Sequence, residues 1–293
     1  MDWILEILTI STFLATIRMA VPIALAALGG LFSESTGVIN IALEGIILMG
    51  AFTGTIITNI TGSPLLGILM AVVAGIGMGL IHAVASVTFK ANHIISGVAL
   101  NLFATGTTFF LALVLTGGSQ IAVSESLPRL WSISPVIYLT IAIFFASGFF
   151  LYRTRLGLRL RATGEHMAAV DSVGISVIKM RYMGVLISGA LAGLGGGYLA
   201  IEQANFFTKG MSAGRGFIGL ASMIFGKWTP WGAAGAASLF GFAQALQFRI
   251  SIPFIPDEFI QMLPYLITIL VLVGAVGRAT PPAEDGNHFL KEG

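Results

Sequence analysis

The chain has 293 residues, 56% hydrophobic and only 10% charged, with a formal net charge of +2 and a mean hydropathy of +0.94. Soluble domains carry about 25% charged residues, so a globule with water over most of its surface is excluded. Cysteine is absent, which removes disulfides, thiolate metal sites and cysteine nucleophiles.

The opening MDWILEIL carries Asp2 and Glu6 and no Lys or Arg before Arg18. It lacks the positive n-region of a secretory signal, so the first helix is expected to be retained. A crossing needs about 20 mostly apolar residues. Such runs occupy 10–32, 39–58, 64–88, 94–115, 134–151, 182–201, 213–226, 231–248 and 259–276. The expectation is an all-α polytopic membrane protein with about 8–10 transmembrane helices. Residues 213–226 and 39–50 look short for a crossing and are expected to be half-spans or broken helices. Such breaks are tolerated in a membrane where protein or a water-filled cavity covers the backbone.

Arg18 interrupts the first run. Either it snorkels, or residues 3–17 lie along the interface and the span proper starts near Pro22. The stretches GVINIALEGIILMG at 37–50 and GRGFIGLASMIFG at 214–226 share a pattern: Gly and polar residues, a short apolar run, then Gly. Paired Gly-interrupted segments in the two halves of a chain point to a weak internal repeat around a transport path. Gly75 and Gly79, and Gly189, Gly193 and Gly197, recur at four-residue spacing, which lets helix backbones approach closely in lipid. Glu202, Gln203, Asn205, Phe206 and Phe207 cluster at one end of a span, where aromatics form interfacial belts or line a mouth.

Residues 152–181, YRTRLGLRLRATGEHMAAVDSVGISVIKMR, are the one long polar stretch. They hold Arg153, Arg155, Arg159, Arg161, Lys179 and Arg181 against Glu165 and Asp171. Lys and Arg stay on the cytoplasmic side of a membrane. With the C-terminus inside, that side collects these six with Lys90, Lys227, Arg278 and Lys291. The outside holds Arg129, Lys209, Arg215 and Arg249. Within the loop, EHMAAVDSVG at 165–174 suits a short helix with Glu165 near its N-terminus, ending on Gly174; a solvated topological loop has the same composition. Residues 1–277 are therefore expected to form the membrane domain, with loop 152–181 and the tail 278–293 on the cytoplasmic side. The tail TPPAEDGNHFLKEG is expected to fray.

Enzyme signatures are missing. Gly226-Lys227 is followed by Trp228 and lacks the upstream Gly of a phosphate loop. His82, His93, His166 and His288 have no ligand spacing. No catalytic residue, metal or cofactor is expected, so uphill movement would draw on an ion gradient or a separate ATPase. Polar groups at membrane depth are costly and default to functional candidates. Asn40 and Glu44 stand at i,i+4 spacing, which on a helix places both on one face. Asn101, Gln244 and Gln247 also fall inside spans. Glu44 should face a watery path, a cation or the bundle interior, or join a helix-to-helix hydrogen bond.

Five stretches together resemble a known group: SESTGVINIALEGIILMGAF at 33–52, ANHIISGVALNLFATG at 91–106, LGLRLRATGEHMAAVDSVGIS at 156–176, SGALAGLGGGYLA at 188–200 and GMSAGRGFIGLASMIFGKWTPWGA at 210–233. In one order over most of the chain, they resemble the permease subunits of bacterial ATP-binding-cassette (ABC) importers. The family is that of branched-chain amino acid, ribose and nucleoside permeases, and the likeness is strongest to its nucleoside branch. The resemblance implies a multi-pass protein of the cytoplasmic membrane that moves nucleosides, sugars or another small polar solute by alternating access. It implies a separate ATPase, a second homologous permease subunit forming a heterodimer, and an extracytoplasmic binding protein, with no role for nucleic acid. EHMAAVDSVG then resembles the coupling segment that docks on the ATPase, through Glu165, His166, Ala168, Ala169, Asp171 and Gly174. His166-Met167 after Glu165 departs from the family's EAA triplet. Asn40, Glu44, Asn101, Gly214, Arg215 and Phe217 would border the translocation path. Two rivals are a gradient-driven secondary transporter, for which only Glu44 is a fair proton or sodium site, and a membrane scaffold that recruits a partner through 152–181.

Overall fold

A computed structural model describes residues 9–131, 133–247, 262, 266, 269 and 279–290. The expected span 259–276, Arg249, Arg278, Lys291, Asp2 and Glu6 lie outside the described residues, apart from three isolated positions in that span.

The protein is an all-α polytopic membrane protein. Six helices among the described residues are long and apolar enough to cross a bilayer. Helix α1 (Ile10–Glu34) starts on a Thr9 side-chain cap and continues through Pro22. Arg18 therefore sits inside one continuous helix, and the expected alternative of a span beginning near Pro22 is corrected. The chain then leaves helical geometry at residues 35–42 while staying almost wholly buried. Helix α2 (Leu43–Thr61) follows at full crossing length. The expected half-span at 39–50 is thus corrected: only the residues before Leu43 are non-helical.

Helix α3 (Pro64–Ala83) ends in a π-helical turn, Val84–Thr88. Helix α4 (His93–Thr116) is capped by the Asn92 side chain, and strand β1 (Gln120–Ala122) follows. Helix α5 is Pro135–Arg153. The polar stretch forms two short helices, α6 (Arg155–Glu165) and α7 (Met167–Ser172). Helix α8 (Val177–Tyr198) runs into a π-helical segment, Leu199–Ala204. Strand β2 (Phe206–Thr208) pairs antiparallel with β1, Ile121 opposite Phe207. Helix α9 (Arg215–Phe225) is the expected half-span, and α10 (Pro230–Gln247) follows. Eleven residues span only about 16 Å at 1.5 Å per residue, so α9 stops part-way across.

Burial identifies the centre. In the most apolar window, 83% of α8 residues are buried, against 67% for α1, 61% for α2 and 22% for α4. The centre is glycine-rich because backbones in lipid gain most from close van der Waals packing. A Cβ on Gly75 would lie 2.8 Å from the Gly193 Cα, so α3 and α8 touch backbone to backbone. The spacing of Gly75, Gly189 and Gly193 thus predicted a crossing that the structure contains.

The two ends of the bundle differ in charge. Helices α6 and α7 lie at one end, and the hydroxyls of Thr88 and Tyr182 join there, beside Lys90. Lys227 belongs to the same end, since Trp228 Nε1 donates to Glu34 Oε2 at 2.7 Å. The opposite end carries the β1–β2 pair and Arg129, together with Lys209, whose Nζ lies 4.2 Å above the Phe109 ring. The loop cations thus separate as expected, with two exceptions. Arg215 starts α9 inside the bundle rather than in a loop. Arg181 is 1% exposed within α8 rather than a loop cation.

Candidate functional site

Two discontinuities meet inside the bundle. One is the break at 35–42 before α2; the other is Gly214, which caps α9 with φ +80°, a left-handed conformation that glycine adopts at little cost. Helix starts leave four backbone N–H groups without intrahelical partners. Here side chains supply them. Glu44 Oε1 accepts from Gly214 N and Glu44 Oε2 from Gly216 N, both at 2.7 Å. A carboxylate at this position also complements the positive end of the α9 dipole. Asn101 Oδ1 accepts from Gly45 N at 2.8 Å, and its Nδ2 donates to Ile41 O at 3.0 Å. Asn40 Oδ1 accepts from Ala42 N at 3.1 Å, and its Nδ2 donates to Ser188 Oγ at 2.9 Å.

The predicted polar residues Asn40, Glu44, Asn101, Gly214 and Arg215 are therefore brought together at one junction. Asn40 precedes the first turn of α2, so Asn40 and Glu44 do not share a helix face as their spacing suggested. They act on different breaks. Arg215 turns its Nη1 back to Met211 O and Ser212 O at 3.1 and 3.3 Å. Phe217, two residues further along α9, is 48% exposed. Of the other polar candidates, Gln244 is buried in α10, and its Oε1 has no hydrogen-bond partner among the described residues.

At the basic end, α7 is the short helix that 165–174 predicted, with different limits. Glu165 closes α6, and the cap of α7 is His166, whose Nδ1 accepts from Ala169 N at 3.1 Å. Glu165 therefore stands near the start of α7 as expected, one residue before its cap rather than within the helix. Glu165, His166, Ala168, Ala169 and Gly174 are exposed and Asp171 is half-buried. The opposite face, Met167 and Val170, packs on Val177, Ala162 and Phe289. The arrangement is a shallow, small-residue ledge held from beneath by an apolar anchor.

Sequence reasoning missed the groups beneath this ledge. Arg181 donates from Nε to Thr36 O at 3.2 Å and from Nη2 to Gly37 O at 3.3 Å and Asn287 O at 2.6 Å. The tail is not frayed over 279–290. Glu284 N donates to Gly164 O at 2.8 Å, and Gly286 N to Gly37 O at 3.2 Å. The Asp285 and Glu34 carboxyls lie against each other, with Asp285 Oδ1 left without a hydrogen-bond partner among the described residues. The rings of His93 and His288 meet edge-on, with centroids 5.1 Å apart. The usable sequence signals were Glu34 at the end of an apolar run and Asp285 in a tail otherwise too polar to dock. At the opposite end, Glu202 Oε1 accepts from Leu127 N at 2.7 Å. With Arg18, Arg129, Tyr198 and Gln203 it lines a cavity of about 190 Å³.

Residues 12–272 match the family described as branched-chain amino acid transport system / permease component. The chain is 44% identical to the guanosine ABC transporter permease protein NupQ of Bacillus subtilis, over 94% of this chain and 95% of that one. It is 39% identical to the nucleoside ABC transporter permease protein NupC of Lactococcus lactis, over 92% and 93%. It is 34% identical to the putative glucose ABC transporter permease protein TsgC13 of Haloferax volcanii, over 90% and 91%.

Proposed function

The chain belongs to the branched-chain amino acid transport system permease family, and from that premise we propose that it is the membrane permease subunit of an ABC importer for nucleosides. It is a transporter subunit and not an enzyme; ATP is hydrolysed on a separate chain. The observation that carries the substrate class is the likeness, over nearly the whole length of each chain, to permeases of guanosine and of nucleosides. The protein sits in the bacterial cytoplasmic membrane, with the basic end in the cytoplasm and the β1–β2 end outside. An extracytoplasmic binding protein delivers substrate to that outer end. A second, homologous but distinct permease subunit completes the path.

In this reading the exposed ledge of α7 is where the ATPase docks, through Glu165, His166, Ala168, Ala169, Asp171 and Gly174. The support is its geometry, a short helix of small residues that protrudes at the basic end on an apolar anchor. The junction of Asn40, Glu44, Asn101, Gly214 and Arg215, with Phe217 beside it on α9, borders the translocation path. Rocking between inward- and outward-open states is shifted by ATP and by loaded binding protein only through their different affinities for the two states.

The test is uptake by the assembled importer in proteoliposomes against a panel of guanosine, adenosine, uridine and glucose. Saturable nucleoside uptake that needs internal ATP is the expected result. Glucose uptake without nucleoside uptake would move the substrate to sugars, as the third relative's name has it. Uptake that survives ATP depletion with ion gradients intact would indicate a secondary transporter. Asp171→Lys or Ala169→Trp should leave membrane insertion intact and abolish uptake, while wild-type uptake by both would remove the docking assignment.

A further inference from the structure

We propose that the C-terminal segment 282–290 is a coupling strap that carries movement of the ATPase-docking helix α7 directly to the break at 35–42. The proposal rests on the reading of α7 given above.

The strap touches both elements. At one end, Phe289 packs into the apolar anchor under α7, formed by Met167 and Val170. At the other end, the backbone of Glu284 bonds Gly164 at the end of α6. Between them, Gly286 N donates to Gly37 O within the break, and Arg181 donates to Gly37 and Asn287 together. Arg181 thus clamps the break and the strap with one guanidinium, whose rigid fork of donors suits several fixed carbonyls at once. The break also receives the Asn40 and Asn101 hydrogen bonds at the α2–α9 junction. A shift of α7 reaches that junction through three short contacts. A tail kept only for topology would not need a fully buried arginine to hold its backbone. Gly286 has φ +80°, a left-handed conformation strained for residues with a side chain, and a Cβ there would lie 3.0 Å from Ile39 Cδ1.

The test uses the complete importer with its cognate subunits. One variant is truncated after Thr280. A second, Gly286→Val, alters no membrane helix and unseats the strap through its positive φ and the Ile39 contact. Two quantities are read. The first is the stimulation of ATP hydrolysis by loaded binding protein. The second is the ATP-induced change in hydrogen exchange at 37–43, compared with that at 165–174. Both variants should hydrolyse ATP at the basal rate, lose stimulation by about tenfold, within the usual range of coupling free energies, and lose the exchange response at 37–43 while keeping it at 165–174. Wild-type stimulation and exchange in Gly286→Val would overturn the strap, even if the truncated chain failed to assemble. The ATP-induced exchange at 37–43 needs no transported solute. A wild-type importer that ignored nucleosides would therefore count against the substrate proposal and leave the strap standing.

Discussion

At the residue scale, the polar side chains inside this protein are chiefly partners for interrupted backbone. Glu44 closes two N–H groups of α9 with a charged acceptor, whereas Asn101 makes two neutral bonds. Hydrogen bonds to charged groups contribute about 1.5–3 kcal/mol each, while side-chain bonds between membrane helices average about 0.6 kcal/mol. Glu44→Ala should therefore lower thermal stability in detergent clearly more than Asn101→Ala. Equal midpoints for the two variants would contradict the capping role.

Asp285 gives a pH dependence. Burial raises its carboxyl to about 6 from the ordinary 3.8, against the lowering effects of the neighbouring Glu34 carboxyl and the Arg181 charge. A carboxyl raised by burial favours docking while protonated, because burying the neutral group costs less than burying the charge. Its contribution to docking is complete below about 3.8 and is lost as pH rises through about 6. Glu34 from α1 and Arg181 from α8 act on it, Glu284 of the tail acts on Arg181, and His93 from α4 meets His288 of the tail. Hydrogen exchange at 282–290 should be slower at pH 5 than at pH 7.5 after correction for intrinsic rates, and Asp285→Asn should flatten the difference. An unchanged pH profile in that variant would assign the dependence to another group.

At the element scale, helix packing is decided by where side chains are missing. A Cβ on Gly189 would come within 3.3 Å of the Gly79 Cα, whereas one on Gly77 meets nothing within 4 Å. Gly189→Leu should separate α3 from α8 and yield an aggregated protein on size-exclusion chromatography, while Gly77→Leu should elute as wild type. Comparable elution of both would show that the crossing tolerates a side chain. The same scale explains why 39–50 departed from expectation. Gly37 and Asn40 correctly marked a break, but the apolar run beyond them continues to Thr61 and makes a whole helix. In α9 the run ends at Gly226 and Pro230, and the half-span stays short.

At the scale of the whole molecule, the loop cations set the expected orientation, because Lys and Arg resist translocation. The cysteine-free chain suits a direct check. Ser172→Cys on α7 should react with an impermeant maleimide only from the cytoplasmic side, and Ser126→Cys, at the β1 end, only from outside. Labelling of Ser172→Cys from outside would invert the topology and remove the ATPase from its proposed dock.

Apolar run length and small-residue spacing by themselves determined where most of the described helices lie and which helix faces can approach closely, because both follow from local composition in lipid. The order of motifs from Ser33 to Ala233 was enough to indicate the family. Only the tertiary structure decided what the polar groups do. Glu44 and Asn101 became caps because breaks distant in sequence were brought beside them. Arg181 left the solvent because Thr36, Gly37 and Asn287 offered it carbonyls. The tail, too polar to predict as packed, is held by backbone hydrogen bonds, which leave no imprint on side-chain composition.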